Sequence, residues 1–251
     1  MIISDKFVFI HNCHCGGSSI RNGILPHTFN LIHNFPLSSC YWHKPVRILY
    51  DETNLKHDNI PSLLQYSNLP KFGLTRNPWD WYVSLFHHSL PNGPFMKTYS
   101  PNREFHEFVT NLLSDDYNNN LGDMVFAPPG DPITPHKINK PRILSETGMG
   151  LFTFRNIYTF IIEYPSIIND KKYPTDIQFD VDVYKLEGGI VEMITEFCNS
   201  HNIPIKFDIP HAHRNSTGHK KYVEYYTDHL VDLVATKDRF IINKFGYKFG
   251  E

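Results

Sequence analysis

The sequence contains few cysteines and no excess of positive charge, and both shortages exclude classes of protein. Four cysteines among 251 residues are too few for a disulfide framework. The 24 lysines and arginines are balanced by 26 aspartates and glutamates, which gives a formal net charge of -2. This balance argues against binding of nucleic acid or an anionic membrane over a broad surface. A local anion site built from a few arginines remains compatible with it.

Long hydrophobic runs are also missing, because the apolar segments fall far short of the roughly 18 residues that a membrane-spanning helix needs. Residues 1–10 lack the basic leader and the apolar segment of a signal peptide. We therefore expect a cytoplasmic protein with no membrane partner. Hydrophobic residues nevertheless make up 41% of the chain, which suffices for a sizeable core. We expect this core to belong to a single domain that spans residues 1–251.

The first recognisable unit of the sequence is a strand, a glycine-rich turn and a helix. Residues 6–11 form an apolar, β-branched and aromatic run that predicts a buried strand. Ile20, Ile24 and Leu25 then recur at the spacing of a helix. Between them lies a segment that we call the glycine loop, residues 11–19, with the sequence His-Asn-Cys-His-Cys-Gly-Gly-Ser-Ser.

Strands and helices continue to alternate along the chain. The patterns predict strands over residues 71–75 and 180–187. They predict helices over residues 79–89, 103–113 and 190–199, and a mostly helical C-terminal segment. Strands separated by helices indicate an α/β fold with a central, mostly parallel sheet flanked by helices. Residues 117–142 are rich in Pro, Gly and Asn, and they predict a long loop insertion.

The glycine loop has the composition of an anion-binding turn. A strand that ends in such a turn before a helix leaves backbone N–H groups unpaired, and these groups attract phosphate-like anions. Ser18 and Ser19 can add hydroxyl donors. The loop is not a Walker A motif, because the required glycine spacing and the lysine are absent. On these residues alone, an ordinary tight turn with a helix cap is the favoured explanation of the pattern.

Arg76 is a second candidate for anion binding. It follows the second predicted strand, and Ser84 lies on the polar face of the helix that comes next. An arginine fork and a hydroxyl could clasp a phosphate together, although a structural salt bridge is the alternative. Two anion sites at the ends of parallel strands indicate a ligand with two separated phosphate-like groups.

These segments resemble, in order, the PAPS-dependent sulfotransferases of the carbohydrate type. Residues 7–20 are similar to that family's 5′-phosphosulfate loop, and residues 73–78 with Ser84 are similar to its 3′-phosphate motif. Residues 183–187 resemble its late strand near the cofactor, and residues 225–249 resemble its C-terminal segment. The resemblance implies a P-loop-NTPase-like three-layer sandwich. It also implies transfer of a sulfuryl group from PAPS (3′-phosphoadenosine 5′-phosphosulfate) to an acceptor hydroxyl, with release of PAP and without a metal.

The resemblance further implies roles for individual residues. Three groups would hold the cofactor: Cys15, Gly16, Gly17, Ser18 and Ser19 at the 5′-phosphosulfate, Arg76 and Ser84 at the 3′-phosphate, and Arg214, Asn215 and Ser216 around the nucleotide. His43, between the two phosphate motifs, would be the general base, because a neutral imidazole can accept the proton of the acceptor hydroxyl. The acceptor is expected to be a carbohydrate, or else a small molecule.

One position departs from the family pattern, because His14 stands where the family has a lysine. A protonated His14 could donate to the leaving group, and activity would then depend more strongly on pH. The substitution could equally mark a protein that binds a 3′,5′-nucleotide with little turnover. A P-loop kinase acting on a small molecule is a third interpretation, against which the missing Gly-Lys-Ser/Thr motif counts.

The same loop raises the question of a metal site. His11, Cys13, His14 and Cys15 are residue types that bind zinc. Alternating residues in one short turn cannot easily supply four tetrahedral ligands, and no second Cys/His pair with suitable spacing follows. We therefore predict no metal site.

Overall fold

The computed structural model describes residues 2–12, 14–34, 68–89, 99–114, 154, 158, 180–205 and 218–251. The predictions for His43, for the loop insertion at 117–142 and for residues 214–216 lie outside these described residues. The chain divides into two compact units, the first formed by Met1–Arg76 and Tyr158–Ser216 and the second by Asn77–Ile157 and Thr217–Glu251. The single domain expected from the sequence stays a prediction.

The first unit contains a five-stranded sheet with the order β3-β1-β2-β4-β5. Its strands are β1 (Ile2–Ser4), β2 (Val8–Ile10), β3 (Leu31–Asn34), β4 (Lys71–Thr75) and β5 (Val181–Lys185). Strands β2, β4 and β5 run parallel, as predicted, whereas β1 is antiparallel to both of its neighbours. The described sheet is therefore mixed rather than mostly parallel. Three- and four-residue strands such as β1 and β3 are too short to show a reliable alternation in sequence.

Seven α-helices are assigned within the described residues. They are α1 (Gly17–Ser19), α2 (Leu25–Thr28), α3 (Pro78–Ser89), α4 (Phe105–Leu113), α5 (Ile190–Ser200), α6 (Asp228–Lys237) and α7 (Arg239–Phe245). A π-helical turn, Ile20–Ile24, joins α1 to α2, and short 3₁₀ turns occupy Leu186–Gly188 and Tyr222–Tyr225. The predicted helices over 79–89, 103–113 and 190–199 are thus confirmed to within two residues. None of the described helices is long and apolar enough to cross a lipid bilayer.

The π-helical turn lies directly before Pro26, which occupies the first turn of α2. At its end the Leu25 N–H donates to the carbonyl of Ile20, five residues back. Pro26 itself has no backbone N–H, so it makes no bond to the carbonyl four residues earlier. Ile20, Ile24 and Leu25 are all buried, as their helical spacing predicts.

An aromatic cluster joins the sheet of the first unit to α5. The ring centroids of Phe7 and Phe72 lie 5.5 Å apart, and those of Phe72 and Phe197 lie 4.5 Å apart. All three rings are almost completely buried. Since Phe197 belongs to α5, this helix covers one face of the parallel strands. Burial of such rings is the main source of stability in this part of the core.

Helix α3 opens the second unit. Pro78 occupies its first position, and the Asn77 side-chain oxygen accepts a hydrogen bond of 3.1 Å from the Trp79 N–H. Tyr82, Leu85 and Phe86, whose spacing places them on one face of the helix, are buried. On the other face Asp80 and Ser84 are half-buried and His88 is exposed.

Candidate anion site at the glycine loop

The glycine loop begins at the edge where all three parallel strands end. The register pairs Ile10 of β2 with Gly73 of β4, and Gly73 with Val183 of β5. Because parallel strands point the same way, the residues after β2, β4 and β5 emerge at one edge of the sheet. This edge carries the glycine loop, Arg76 and Leu186.

Two residues of the glycine loop adopt left-handed backbone conformations. The φ angles of His14 and Gly16 are 57° and 74°. Glycine tolerates this region freely, whereas for histidine it costs about 1 kcal/mol. Gly16 then caps α1, and its carbonyl accepts bonds of 3.0 Å and 3.3 Å from the N–H groups of Ser19 and Ile20. The predicted succession of strand, glycine turn and helix is confirmed.

Close neighbours leave little room for a Cβ atom at Gly16 or Gly17. A Cβ at Gly16 would lie 2.6 Å from Cδ1 of Leu186, and a Cβ at Gly17 would overlap the imidazole of His11. The His11 ring is buried and stacks on Phe9 with centroids 5.9 Å apart, so it has little room to move. Small residues in the turn therefore serve packing as well as backbone conformation.

Two hydrogen bonds connect the glycine loop to the end of β4. Nη1 of Arg76 donates to the carbonyl of His14 at 2.9 Å, and Nδ2 of Asn12 donates to the carbonyl of Leu74 at 3.1 Å. The Arg76 side chain is half-buried. Its guanidinium consequently lies at the glycine loop itself.

The same strand ends hold two buried oxygen atoms that make no hydrogen bond. Among the residues that the structure describes, neither Oδ1 of Asn12 nor Oγ1 of Thr75 has a partner, and both residues are fully buried. An unsatisfied buried polar atom costs about 1–3 kcal/mol, so such atoms are uncommon in a folded chain. A polar group of a ligand, or a water molecule, would satisfy them.

The structure brings together most of the residues predicted at the 5′-phosphosulfate. Gly16 is half-buried, as are Ser18 and Ser19 in α1, while the Cys15 side chain is fully buried and leaves only its backbone to serve a ligand. The predicted partner of Arg76, Ser84, belongs to the second unit, on α3. His43, Arg214, Asn215 and Ser216 lie outside the described part of the chain.

No metal centre is found in the parts of the chain that the structure describes. No three His, Cys, Asp or Glu side chains there are grouped so that they could hold an ion. Of the zinc-binding residue types in the loop, His11 packs on Phe9 and Gly17, Cys15 is buried, and Cys13 lies outside the described residues.

A histidine cluster in the second unit escaped the sequence reasoning. Nε2 of His87 lies 2.8 Å from the hydroxyl of Tyr225, and the rings of His87 and His219 stack with centroids 4.9 Å apart. Burial, and to a smaller extent the neighbouring His219, lowers the pKa of His87 below 6.5. His87 and Tyr225 are 138 positions apart, and nothing in the local pattern of either segment signals the pairing.

Comparison of the chain with protein-family models, with curated proteins and with solved structures gives no match.

Proposed function

We propose that this chain is a PAPS-dependent sulfotransferase acting on a hydroxyl group, with a carbohydrate as the expected acceptor. The observation that carries the proposal is the meeting of the glycine loop, Arg76 and the end of β5 at one sheet edge. A phosphate-like anion suits this edge for three reasons: the loop has residues in left-handed backbone conformations, its side chains are small, and a guanidinium contacts it. The three parallel strands also support a P-loop-NTPase-like sandwich as the fold.

The residues at this edge fit the 5′ end of such a nucleotide. Gly16 and Gly17 keep the loop free of Cβ atoms, and Ser18 and Ser19 contribute hydroxyls at the first turn of the helix. The oxygens of Asn12 and Thr75 that have no hydrogen-bond partner among the described residues lie at the ends of the same strands. PAPS, when bound, would supply an activated sulfuryl group, and the chain's residues would hold its phosphate.

The proposed transfer is an in-line displacement. The acceptor oxygen forms a bond to sulfur while the bond from sulfur to the bridging phosphate oxygen breaks. His43 takes the proton of the acceptor hydroxyl, and the electron pair of the broken bond stays on the departing PAP. Backbone N–H groups of the glycine loop would stabilise the charge that grows on the phosphate oxygens.

The cytoplasmic location stays a prediction.

A second candidate is a protein that binds the 3′,5′-nucleotide with little or no turnover. The observation that favours it is the absence of lysine and arginine from residues 11–19. The two candidates share the anion site and differ only in catalysis.

The test of the proposed activity is release of PAP from PAPS across a set of carbohydrate and small hydroxyl acceptors. We expect turnover with at least one acceptor, and we expect His43→Ala to bind PAP normally while losing transfer by about 100-fold or more. His106→Ala, which removes an exposed histidine from α4, is the matched control. Tight PAP binding without turnover by any acceptor would favour the second candidate, and full turnover by His43→Ala would remove that residue from the mechanism.

A further inference from the structure

We propose that Arg76 provides the positive charge of the glycine loop and acts on the anion bound there, rather than on a separate second phosphate. This inference rests on the proposed function, because it assigns Arg76 to the 5′ end of the nucleotide. The resemblance to the sulfotransferases implies the 3′ end instead.

The glycine loop lacks a cation of its own. Residues 11–19 include neither lysine nor arginine, so an anion on the loop's backbone N–H groups meets only partial charges from this segment. His14 carries charge only when it is protonated. A full positive charge must therefore come from another part of the chain.

The structure places the Arg76 guanidinium at this loop. Its Nη1 donates to the carbonyl of His14 at 2.9 Å, one residue before Cys15 and two before Gly16. The strand pairing explains this position. Arg76 directly follows β4, and because β4 pairs in parallel with β2, Arg76 lies beside the loop that follows β2. A half-buried charge is screened less by salt than an exposed one, and its effect on a bound anion is correspondingly larger.

The contact with His14 also allows a purely structural role, in which Arg76 only shapes the loop. The two roles separate when the charge is moved to another residue. Arg76→Met removes both the charge and the hydrogen bond to His14. The double variant Arg76→Met with His14→Lys returns a positive charge to the loop but does not restore that hydrogen bond. Arg76→Lys keeps the charge at the strand end. Lys6→Met removes an exposed charge at the opposite end of β2, beside Asp5, and is the matched control.

The experiment is calorimetric titration of each variant with PAP and with AMP, which lacks the 3′-phosphate. We expect Arg76→Met to weaken both ligands by the same factor of about tenfold or more. Arg76→Lys should stay within about threefold of wild type, and His14→Lys should restore most of the affinity that Arg76→Met loses. Lys6→Met should change neither ligand.

Each contrary outcome has a distinct meaning. If Arg76→Met weakens PAP and spares AMP, Arg76 binds the 3′-phosphate and the inference is wrong. Unchanged binding of both ligands, or no rescue by His14→Lys, also overturns it in favour of a structural role. Should Arg76→Met fail to fold, Arg76→Lys decides, because a selective loss of PAP there contradicts the inference and retention of both ligands supports it. Wild-type protein that binds neither nucleotide removes the proposed function together with this inference.

Discussion

Two buried polar sites, the Tyr82 network of the second unit and the strand ends of the first unit, differ in their hydrogen bonding. In the second unit the hydroxyl of Tyr82 donates to Asp238 at 2.6 Å and accepts from the Phe154 N–H at 3.1 Å. In the first unit, Asn12 Oδ1 and Thr75 Oγ1 have no hydrogen-bond partner among the described residues. A paired buried network stabilises a fold, whereas buried atoms left without partners cost stability. The strand ends of the first unit therefore lose stability where the Tyr82 network gains it, and among the described residues Thr110 Oγ1 of the second unit is a further buried oxygen without a partner.

The largest effect is expected where the paired network is broken. Tyr82→Phe removes the donor to Asp238 and leaves a buried carboxylate without that partner, so we expect a loss of about 3 kcal/mol in the free energy of unfolding. Tyr222→Phe is the control, because the Tyr222 hydroxyl makes its bonds to Glu251 and Gly250 at an exposed site. Denaturant unfolding measures both variants. Equal losses in the two would show that the Tyr82 bond carries no special weight.

A smaller loss of stability, joined to a loss of function, is expected at the glycine loop. Gly17→Ala places a methyl group into the His11 ring, and overpacking of this kind costs about 1–3 kcal/mol. We expect PAP binding to fall below detection as the turn distorts. Gly188→Ala is the control, because a Cβ there meets no atom within 4 Å. Normal PAP binding by Gly17→Ala would separate the loop from the ligand.

Removal of an unpartnered hydroxyl should raise stability. Thr75→Val keeps the shape of the side chain and deletes Oγ1, so we expect an unchanged or about 1 kcal/mol higher free energy of unfolding. PAP affinity should fall by about threefold to tenfold, because the hydroxyl would no longer meet the ligand. Thermal unfolding measures the change in stability, and calorimetric titration of the same sample measures the change in PAP affinity. A variant that is less stable than wild type would mean that Thr75 Oγ1 has a structural partner.

The smallest effect is a pH dependence in the second unit. Burial lowers the pKa of His87, so the unfolded chain binds a proton more readily than the folded one. Stability contributed by neutral His87 is therefore present above pH 6.5 and is lost as pH falls through the lowered value. As the pH falls from about 7.5 to about 5.5, we expect the Tm of His87→Gln to decrease less than the Tm of the wild type. His88→Gln, which removes the exposed neighbour, should behave as wild type does.

Long periodic segments were predictable from the sequence, and short or long-range features were not. β4 has the predicted bounds, and α3 matches the helix predicted over 79–89 to within one residue, because each pattern is local. β1 and β3 hold only three and four residues and owe their pairing to neighbouring strands.

The candidate site shows the same division. The glycine loop was predictable because its chemistry lies within nine consecutive residues. The contact from Arg76 to His14 spans 62 positions, and only the parallel pairing of β2 with β4 creates it. The sequence placed Arg76 at a strand end, and the sheet register determines which loop it meets there.

Calorimetric titration with PAP, and with ADP as comparator, is the decisive test for a 3′,5′-nucleotide site on this chain. ADP carries a 5′-diphosphate and no 3′-phosphate, so the pair separates a 3′,5′-nucleotide site from a general phosphate site. The account predicts micromolar affinity for PAP and binding of ADP that is weaker by about tenfold or more. Equal affinity for the two ligands, or binding of neither, would contradict it.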